Sequence, residues 1–319
     1  MDKANRIFVA GHRGMAGSAM VRALKQKGYD NLIVRDRKQL DLFERNLVRE
    51  FLADSTPEVV ILCAAKVGGI TANWNLPAEF IEQNLVISSN VIGESQRAGV
   101  KQLLFLSSSC AYPKHSPQPI KEKHLLTGPL EYTNQPFAVA KIAGIEMCWS
   151  FNRQYGTRYL AVMSSNLFGV GDNYHPEHSH VLPGLIRRMH EAKQHLAPTV
   201  TVWGTGTPQR EFLFSDDLAD ACIFLLSLTD DQSESLYTDS IPPLINIGVG
   251  KDHSIHQVAE LVRDVVGFQG QIVWDKSKPD GTPRKLLSTS RINDFGWRAS
   301  TNLKHGIELA YQDFLDRYG

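Results

Sequence analysis

Short apolar runs alternate with helical patterns along the first half of the chain, and this alternation limits the possible folds most strongly. The apolar runs, rich in β-branched residues, lie at 6–10, 31–35, 58–65, 101–107 and 158–163. Residues with helical spacing fill the intervals, most clearly at 77–99 and 136–156. Strands that are apolar throughout are buried on both faces, and helices between them make neighbouring strands parallel. The pattern predicts an α/β fold with a doubly wound parallel sheet.

The second half of the chain has a looser pattern. Its helical or strand-like segments lie at 180–195, 200–206, 214–228, 244–248 and 303–317. They predict a smaller C-terminal α/β domain, because a chain of 319 residues is long enough for one large or two modest domains. We place the first domain at 1–165 and the second at 166–319, and we expect segments of the later chain to return to the first sheet.

Composition excludes several classes of function. The formal net charge is zero, which gives no reason to expect binding to nucleic acid or to a membrane surface. No apolar run approaches the roughly 20 residues that span a bilayer, and the N-terminus has no signal-peptide pattern. The four cysteines are scattered without CxxC spacing, so neither disulfides nor a metal site is expected, and a reducing cytoplasm fits.

A glycine-rich loop follows the first predicted strand directly. In "VAGHRGMAG" the glycines are Gly11, Gly14 and Gly17, and a helical pattern begins at once. Such a triplet also suits an ordinary tight turn. A strand before it and a helix after it favour a dinucleotide site, because glycine lets the backbone approach a pyrophosphate and the helix N-terminus attracts the anion. The sheet is therefore predicted to be of the Rossmann type.

The residues after the second predicted strand bear on the choice of cofactor. Asp36 could bind a ribose 2′-hydroxyl, as in NAD sites, whereas Arg13 and Arg37 could bind a 2′-phosphate. Both arginines could also be ordinary solvated surface residues. The arginines make NADP(H) the predicted cofactor.

Candidate catalytic residues follow the fourth predicted strand. In "LFLSSSCAYP" the residues Ser108 and Cys110 fall at the carboxyl end of the sheet, where open α/β folds bind ligands. The next helical pattern places Phe137 and Lys141 four residues apart, on one helix face. A reductase would be expected to have a tyrosine at position 137.

These motifs resemble the extended short-chain dehydrogenase/reductase family. With "AAKVGGI", "SSSCAYPK", "HSHVLP", "VWGTGTP" and "SKPDGTPRKLL", nearly the whole chain is similar to the GDP-L-fucose synthases within that family. The resemblance implies a bifunctional oxidoreductase and epimerase that converts GDP-4-keto-6-deoxy-D-mannose to GDP-L-fucose with NADPH. It also implies an NADP-binding first domain, a GDP-sugar-binding second domain, and a homodimer formed through the helices at 77–99 and 136–156.

The resemblance assigns five catalytic positions. Ser108 and Lys141 would act at the C4 carbonyl of the sugar, Cys110 would be the base of the epimerisation, and His180 the acid. The family's catalytic tyrosine corresponds to Phe137, so the proton donor to the C4 alkoxide is missing. Because a positioned general acid contributes about 10²–10⁴-fold, we expect impaired reduction. An introduced substitution and natural variation remain open as the origin of Phe137.

Neither nearby tyrosine is a good substitute for the missing acid. Tyr132 precedes the helix that contains position 137, and the family has a tyrosine at the position of Tyr112 in addition to the catalytic one. The resemblance also implies binding residues. The cofactor would contact Gly11, His12, Arg13, Gly14, Met15, Ala16, Gly17, Arg37, Leu40, Asp41, Leu42, Leu106, Ser107, Ser108, Ser109, Lys141, Ser164, Ser165, Asn166, Leu167 and His180. The substrate would contact Arg188, Trp203, Arg210, Asp280 and Lys285.

Two alternatives to this function remain open. The chain could be another nucleotide-sugar epimerase or reductase, although a C4 epimerase would not need Cys110 and His180. It could also be a non-catalytic protein that binds NADP and a sugar nucleotide, for which Phe137 is the only argument. Trp203 could belong to the core instead of the substrate site.

Overall fold

Six parallel strands form the central sheet of the protein. The computed structural model describes residues 1–278 and 280–319, with only the backbone at 70 and 71. The strands are β1 (Ile7–Ala10), β2 (Leu32–Ile33), β3 (Val59–Leu62), β4 (Gln102–Leu106), β5 (Arg158–Ser164) and, from the second half of the chain, Leu244–Ile247. Their spatial order is β2-β1-β3-β4-β5 followed by Leu244–Ile247, and each neighbouring pair is parallel. The predicted strand at 31–35 is real but only two residues long.

Helices cover both faces of this sheet. On one face lie α1 (Met15–Gln26) and a later helix, Ser215–Ser227; on the other lie α2 (Arg45–Ser55), the helix Pro77–Arg97 and the helix Gln135–Tyr155. Alternate residues of β1 belong to different cores: Ile7 and Val9 pack on one side, Phe8 and Ala10 on the other. The two-residue period of a strand, with both faces buried, explains why the runs are apolar throughout. The predicted α/β fold is confirmed.

The remaining elements follow in chain order. Between β3 and β5 lie α3 (Ile70–Asn75), α4 (Pro77–Arg97) and α5 (Gln135–Tyr155). They are followed by β6 (Asn166–Phe168), α6 (Val181–Gln194), β7 (Thr199–Trp203), β8 (Gln209–Phe214), α7 (Ser215–Ser227), α8 (Asp230–Ser233), β9 (Leu244–Ile247), β10 (Asp252–Ser254), α9 (Ile255–Val266), β11 (Gln271–Asp275), β12 (Arg284–Lys285), α10 (Ser290–Asp294) and α11 (Leu303–Tyr318). None of the helices within the described residues is long and apolar enough to cross a membrane.

The second half builds two smaller sheets and a third core. Strand β8 pairs with β6, β10 and β12, while β7 and β11 form a parallel pair. Helices α6, α9 and α11 pack around them. Helix α7 and strand β9 instead belong to the layers of the central sheet. The division into a domain 1–165 and a domain 166–319 stays a prediction.

Helix α5 is held unusually close to the sheet. It begins with Pro136 in its first turn and ends at Gly156, whose φ of 65° is the left-handed conformation that glycine favours. Gly144 faces the ring of Phe105 on β4, and a Cβ at this position would lie 2.4 Å from that ring. Only glycine permits this approach, which brings the first turns of α5 over the carboxyl end of β4.

Candidate active site

The glycine loop makes a compact turn between β1 and α1. Gly11 has a φ of 87°, and its carbonyl oxygen accepts a hydrogen bond from the amide of Gly14 at 3.0 Å. A Cβ on Gly17 would lie 2.1 Å from that same oxygen. The first turn of α1 contains no acidic residue and its N-cap, Gly14, makes no side-chain cap. The helix N-terminus is therefore free to bind an anion such as a pyrophosphate.

Several buried polar atoms around the loop have no protein partner. Among the described residues, His12 Nδ1, Ser107 Oγ and Ser165 Oγ are buried without a hydrogen bond. Buried polar groups are normally satisfied, so these atoms indicate a polar ligand. All three lie at the carboxyl ends of β1, β4 and β5, or directly after them. This arrangement fits the dinucleotide predicted from the sequence.

Both carboxylate oxygens of Asp36 already have partners within the protein. Its Oδ1 accepts hydrogen bonds from the backbone amides of Lys38 and Gln39, at 2.9 and 3.0 Å. Its Oδ2 lies 2.8 Å from the guanidinium of Arg13, which is 73% exposed. Arg37 is exposed as well and lies 3.4 Å from Asp41. Asp36 thus caps a turn and orients Arg13, and two arginines border the place where the adenosine ribose of a dinucleotide is expected.

Lys141 lies in the protein interior near the ring of Phe137. It is 4% exposed, and its Nζ donates a hydrogen bond to the carbonyl of Leu106 at 2.8 Å. Its ammonium lies 5.6 Å from the centre of the Phe137 ring and 4.8 Å from that of Phe105. Burial lowers the pKa of Lys141 to about 8, although Cys63 nearby opposes the shift. The lysine still carries its charge at neutral pH.

Phe137 lies in a small apolar cluster. Its ring is 8% exposed, packs edge-on against Phe80 with 6.3 Å between ring centres, and is joined by Ala72 and Cys110. Ser108 and Cys110 are linked as well, because the amide of Cys110 donates to Ser108 Oγ at 3.3 Å. The structure therefore brings Cys110 and Lys141 to the ring of Phe137, with Ser108 bound to the backbone of Cys110.

Tyr132 and Tyr112, the two tyrosines weighed as substitutes for an acid at position 137, lie where the sequence predicts. Tyr132 is 73% exposed, precedes α5 in a short turn, and packs against Trp74. Tyr112 is buried, and its hydroxyl donates to Asn246 Oδ1 at 2.6 Å. Burial raises the pKa of Tyr112 well above its ordinary value. The hydroxyl of Tyr112 is thus engaged in the interior, and Tyr132 lies outside the helix that carries Phe137.

His180 lies at the N-terminus of α6. It is the exposed N-cap residue of this helix, and desolvation by the surrounding protein lowers the pKa of its imidazole. The loop before it contacts the turn at Gly69, where a Cβ would lie 3.0 Å from the carbonyl oxygen of Ser179. Gly69 precedes α3, whose Ala72 packs with Phe137. The loop that carries His180 is thus connected to the surroundings of Phe137.

The predicted substrate residues all lie in the second half of the chain, on α6, β7, β8, β12 and the loop before β12. Lys285 on β12 stands opposite Arg210 on β8, and burial lowers the pKa of Arg210, against the opposing charges of Cys110 and Asp280. Both carboxylate oxygens of Asp280 bind Thr205, at 2.9 Å to its amide and 2.7 Å to its hydroxyl. Asp280 thus fixes the loop after β7.

Trp203 and Arg188 are the other two predicted substrate residues. Trp203 at the end of β7 is 60% exposed, and the ammonium of Lys278 lies 5.4 Å from its ring centre. It is not a core residue. Arg188 donates to the carbonyl of Thr201 on β7 at 3.0 Å, and burial lowers its pKa. Arg187 instead binds Glu191 and the carbonyl of Tyr174, so its role is structural.

The remaining predicted cofactor contacts occupy different environments. Leu40, Leu106 and Ser164 are buried, Leu42 packs against the core, and Asn166 and Leu167 lie half-buried in β6. Sequence reasoning missed Asn134, whose side-chain amide lies 3.5 Å from Cys110 Sγ. Its position just before the helix of Phe137, in "TNQPF", was the available signal.

Comparison with known proteins identifies the family. The model of the NAD dependent epimerase/dehydratase family matches residues 7–248. The chain belongs to this family. GDP-L-fucose synthase 1 of Arabidopsis thaliana is 51% identical over 314 residues, which cover 98% of this chain and 94% of that protein. GDP-L-fucose synthase of Escherichia coli is 49% identical over 314 residues, covering 98% and 97%.

A solved protein structure has the same fold. A GDP-mannoheptose C4 reductase from Campylobacter jejuni, solved with NADP bound, is 38% identical with a TM-score of 0.87, and the match covers 99% of both chains. Family membership and these relatives confirm the predicted resemblance and the predicted nicotinamide dinucleotide cofactor. The roles of the individual site residues stay predictions.

Proposed function

We propose that the chain has the active site of a GDP-L-fucose synthase, which epimerises C3 and C5 of GDP-4-keto-6-deoxy-D-mannose and reduces C4 with NADPH. The observation that carries the proposal is that Cys110 and Lys141 lie beside the ring of Phe137, with Ser108 bound to the amide of Cys110. Relatives named GDP-L-fucose synthases, about half identical over nearly the whole chain, support it.

The epimerisation requires a base and an acid beside a ketone. The ketone at C4 acidifies the protons at C3 and C5. In the proposed mechanism Cys110 takes such a proton, the electron pair of the C–H bond moves toward the C4 oxygen, and His180 returns a proton on the opposite face. Ser108 is free to donate its hydroxyl to the C4 oxygen, because its Oγ already accepts from the amide of Cys110. One such donor typically contributes about 10²–10³-fold in rate.

The reduction lacks its proton donor. When bound, the reduced nicotinamide supplies a hydride to C4. The resulting alkoxide needs a proton, and a tyrosine at position 137 would supply it with Lys141 lowering its pKa. Phe137 keeps the ring but has no acidic hydrogen. We therefore propose that reduction is impaired in this chain and that epimerisation is impaired less.

The proposed preference for NADP(H), which has a 2′-phosphate, follows from Arg13 and Arg37. Asp36, the residue that would select NAD, is bound to backbone amides and to Arg13. Arg13 and Arg37 are exposed and suited to a 2′-phosphate. This supports NADP(H) over NAD(H). The homodimer and the cytoplasmic location stay predictions.

A second candidate function is that of another nucleotide-sugar reductase. The relative named a GDP-mannoheptose C4 reductase, 38% identical to this chain, favours it. A third is a non-catalytic binding protein, which Phe137 favours. The second predicts no proton exchange at C3 and C5, and the third predicts no turnover even with a tyrosine at position 137.

The test is a pair of reactions with GDP-4-keto-6-deoxy-D-mannose. Phe137→Tyr should raise NADPH oxidation by about 10²–10⁴-fold. Tyr132→Phe is the matched control: it makes the reverse chemical change on an exposed ring five residues away and should leave the rate unchanged. In D₂O the unaltered chain should exchange protons at C3 or C5, and Cys110→Ser should abolish the exchange. Failure of Phe137→Tyr to raise oxidation would refute the missing-acid mechanism.

A further inference from the structure

Two hydrogen-bond donors from distant parts of the chain converge on the thiol of Cys110. Lys285 Nζ lies 3.6 Å from Sγ, and Asn134 Nδ2 lies 3.5 Å from it. Both contacts offer a proton to sulfur, and Lys285 also brings a full positive charge. Donors and nearby cations favour the thiolate over the thiol. A thiolate is the form of cysteine that can accept a proton from carbon.

The fold fixes Lys285 in this place. Strand β12 pairs with β8, and the amide of Leu287 just beyond β12 donates to the buried carboxylate of Glu211 at 3.0 Å. The same carboxylate accepts the amides of Val249 and Gly250, each at 2.6 Å. Glu211 is fully buried and therefore holds three separate backbone segments together. The register that places Lys285 beside Cys110 is set by this carboxylate.

Arg284, the neighbouring residue on β12, borders the same small cavity as Cys110, but its charge already has a partner. Arg284 Nε lies 2.6 Å from Asp252 Oδ2. Lys285 is therefore the residue of β12 whose ammonium contacts the thiol.

The other charged groups around Cys110 do not cancel this effect. Besides Arg284 and Lys285, this cavity is lined by the charged residues Lys114 and Glu131, and Arg210 stands opposite Lys285 on β8. The carboxylate of Glu131 binds Thr133 Oγ1 and the amide of Asn134, which turns it toward the start of α5. Glu131 thus holds Asn134 in place, and the charges facing the thiol remain predominantly positive.

We infer that Lys285 and Asn134 are positioning residues that donate to Cys110 Sγ, favour its thiolate form over the thiol and aim it. This inference rests on the proposed function, in which Cys110 is the base. In the proton transfer the C–H bond breaks and an S–H bond forms. The electron pair of the C–H bond becomes the enolate, and Lys285 stays an ammonium throughout. Lys285 then acts on the sulfur and is not primarily a ligand of the substrate's phosphates.

The test measures the thiol directly, without the sugar. Iodoacetamide alkylates thiolates, and mass spectrometry of the peptide that contains Cys110 gives the rate at that residue. In Lys285→Met we expect the rate at neutral pH to fall about 10-fold or more, and the midpoint of the rate–pH profile to rise by about one pH unit or more. Lys285→Arg keeps the charge and should largely restore the rate. Lys304→Met removes an exposed lysine from α11 and should change nothing.

A second variant distinguishes the loss of a hydrogen-bond donor from a folding defect in Lys285→Met. Asn134→Ala removes the other donor from a different element, and we expect the same direction of change with a smaller factor. Coincident profiles for the unaltered chain and Lys285→Met, or a rise in KM for the sugar nucleotide with no change in alkylation, would overturn the inference. A shifted profile in a protein that exchanges no sugar protons would uphold it and count against the proposed function instead.

Discussion

Replacing Lys141 with methionine should stabilise the fold at neutral pH, because the lysine places a charge in the interior and pairs with no carboxylate in the part of the chain that the structure describes. Its side chain is 4% exposed, and its hydrogen-bond acceptor is the neutral carbonyl of Leu106. Burial lowers its pKa from the ordinary 10.5 to about 8. Methionine has a similar length and no charge, so it removes the cost of burying the ammonium.

The magnitude follows from the pKa shift. One pKa unit corresponds to about 1.4 kcal/mol, so the fall of the Lys141 pKa from 10.5 to about 8 costs about 3 kcal/mol of unfolding free energy. Between these two values the unfolded chain binds more protons than the folded one, so stability rises with pH there. The cost is complete below about pH 8 and disappears above about pH 10.5. The lost hydrogen bond to the Leu106 carbonyl offsets the gain by about 1 kcal/mol at either pH.

The assay is denaturant unfolding of the cofactor-free protein at about pH 7 and about pH 10.5, for the unaltered chain and for Lys141→Met. The advantage of the variant should be about 3 kcal/mol larger at the lower pH than at the higher one. Groups that titrate equally in both proteins cancel in this comparison. Lys101→Met, which removes an exposed lysine before β4, should show no such difference. An advantage that does not change with pH would refute the argument from the buried charge.

Three further outcomes are expected. Glu211→Ala should lower the unfolding free energy by about 3 kcal/mol, because three backbone amides, that of Leu287 in the interior, lose their acceptor; a loss below about 1 kcal/mol in denaturant unfolding would contradict this. Arg13→Ala should weaken binding of NADPH by about 10-fold or more relative to NADH in a fluorescence titration, since only NADPH has the 2′-phosphate; equal losses would speak against the phosphate contact. Gly17→Ala should weaken NADPH binding by about 10-fold or more, because its Cβ would lie 2.1 Å from the carbonyl oxygen of Gly11; an unchanged dissociation constant would show that the loop can adjust.

Local sequence patterns were sufficient to predict the fold class and the part of the site that the first half of the chain forms. The apolar runs predicted the parallel sheet, and its strands carry Ser107 and the glycine loop at their carboxyl ends. Periodicity and glycine spacing are properties of neighbouring residues, so the sequence contains them directly. The same holds for the side chain at position 137, because the sequence itself gives a phenylalanine, which has no hydroxyl.

Local patterns could not predict which residues far apart in the sequence meet in the folded protein. We expected later segments to return to the first sheet, but only the structure identifies Leu244–Ile247 as the strand that pairs with β5 at the edge of that sheet. Trp203 lies in a strand-like pattern that suits a core, and the structure exposes it. Glu211 looks like any acidic residue in the sequence, and the fold buries it among amides from two other segments.

The sequence by itself determined which chemical groups this protein has and on which kind of element each lies. Only the tertiary structure decided which of them meet: Cys110 and Lys285 are 175 residues apart in the chain, yet their Sγ and Nζ atoms lie 3.6 Å apart. The physical reason is that hydrophobic periodicity acts over one or two turns, whereas the register of β12 on β8 depends on one buried carboxylate and three backbone amides contributed by separate segments.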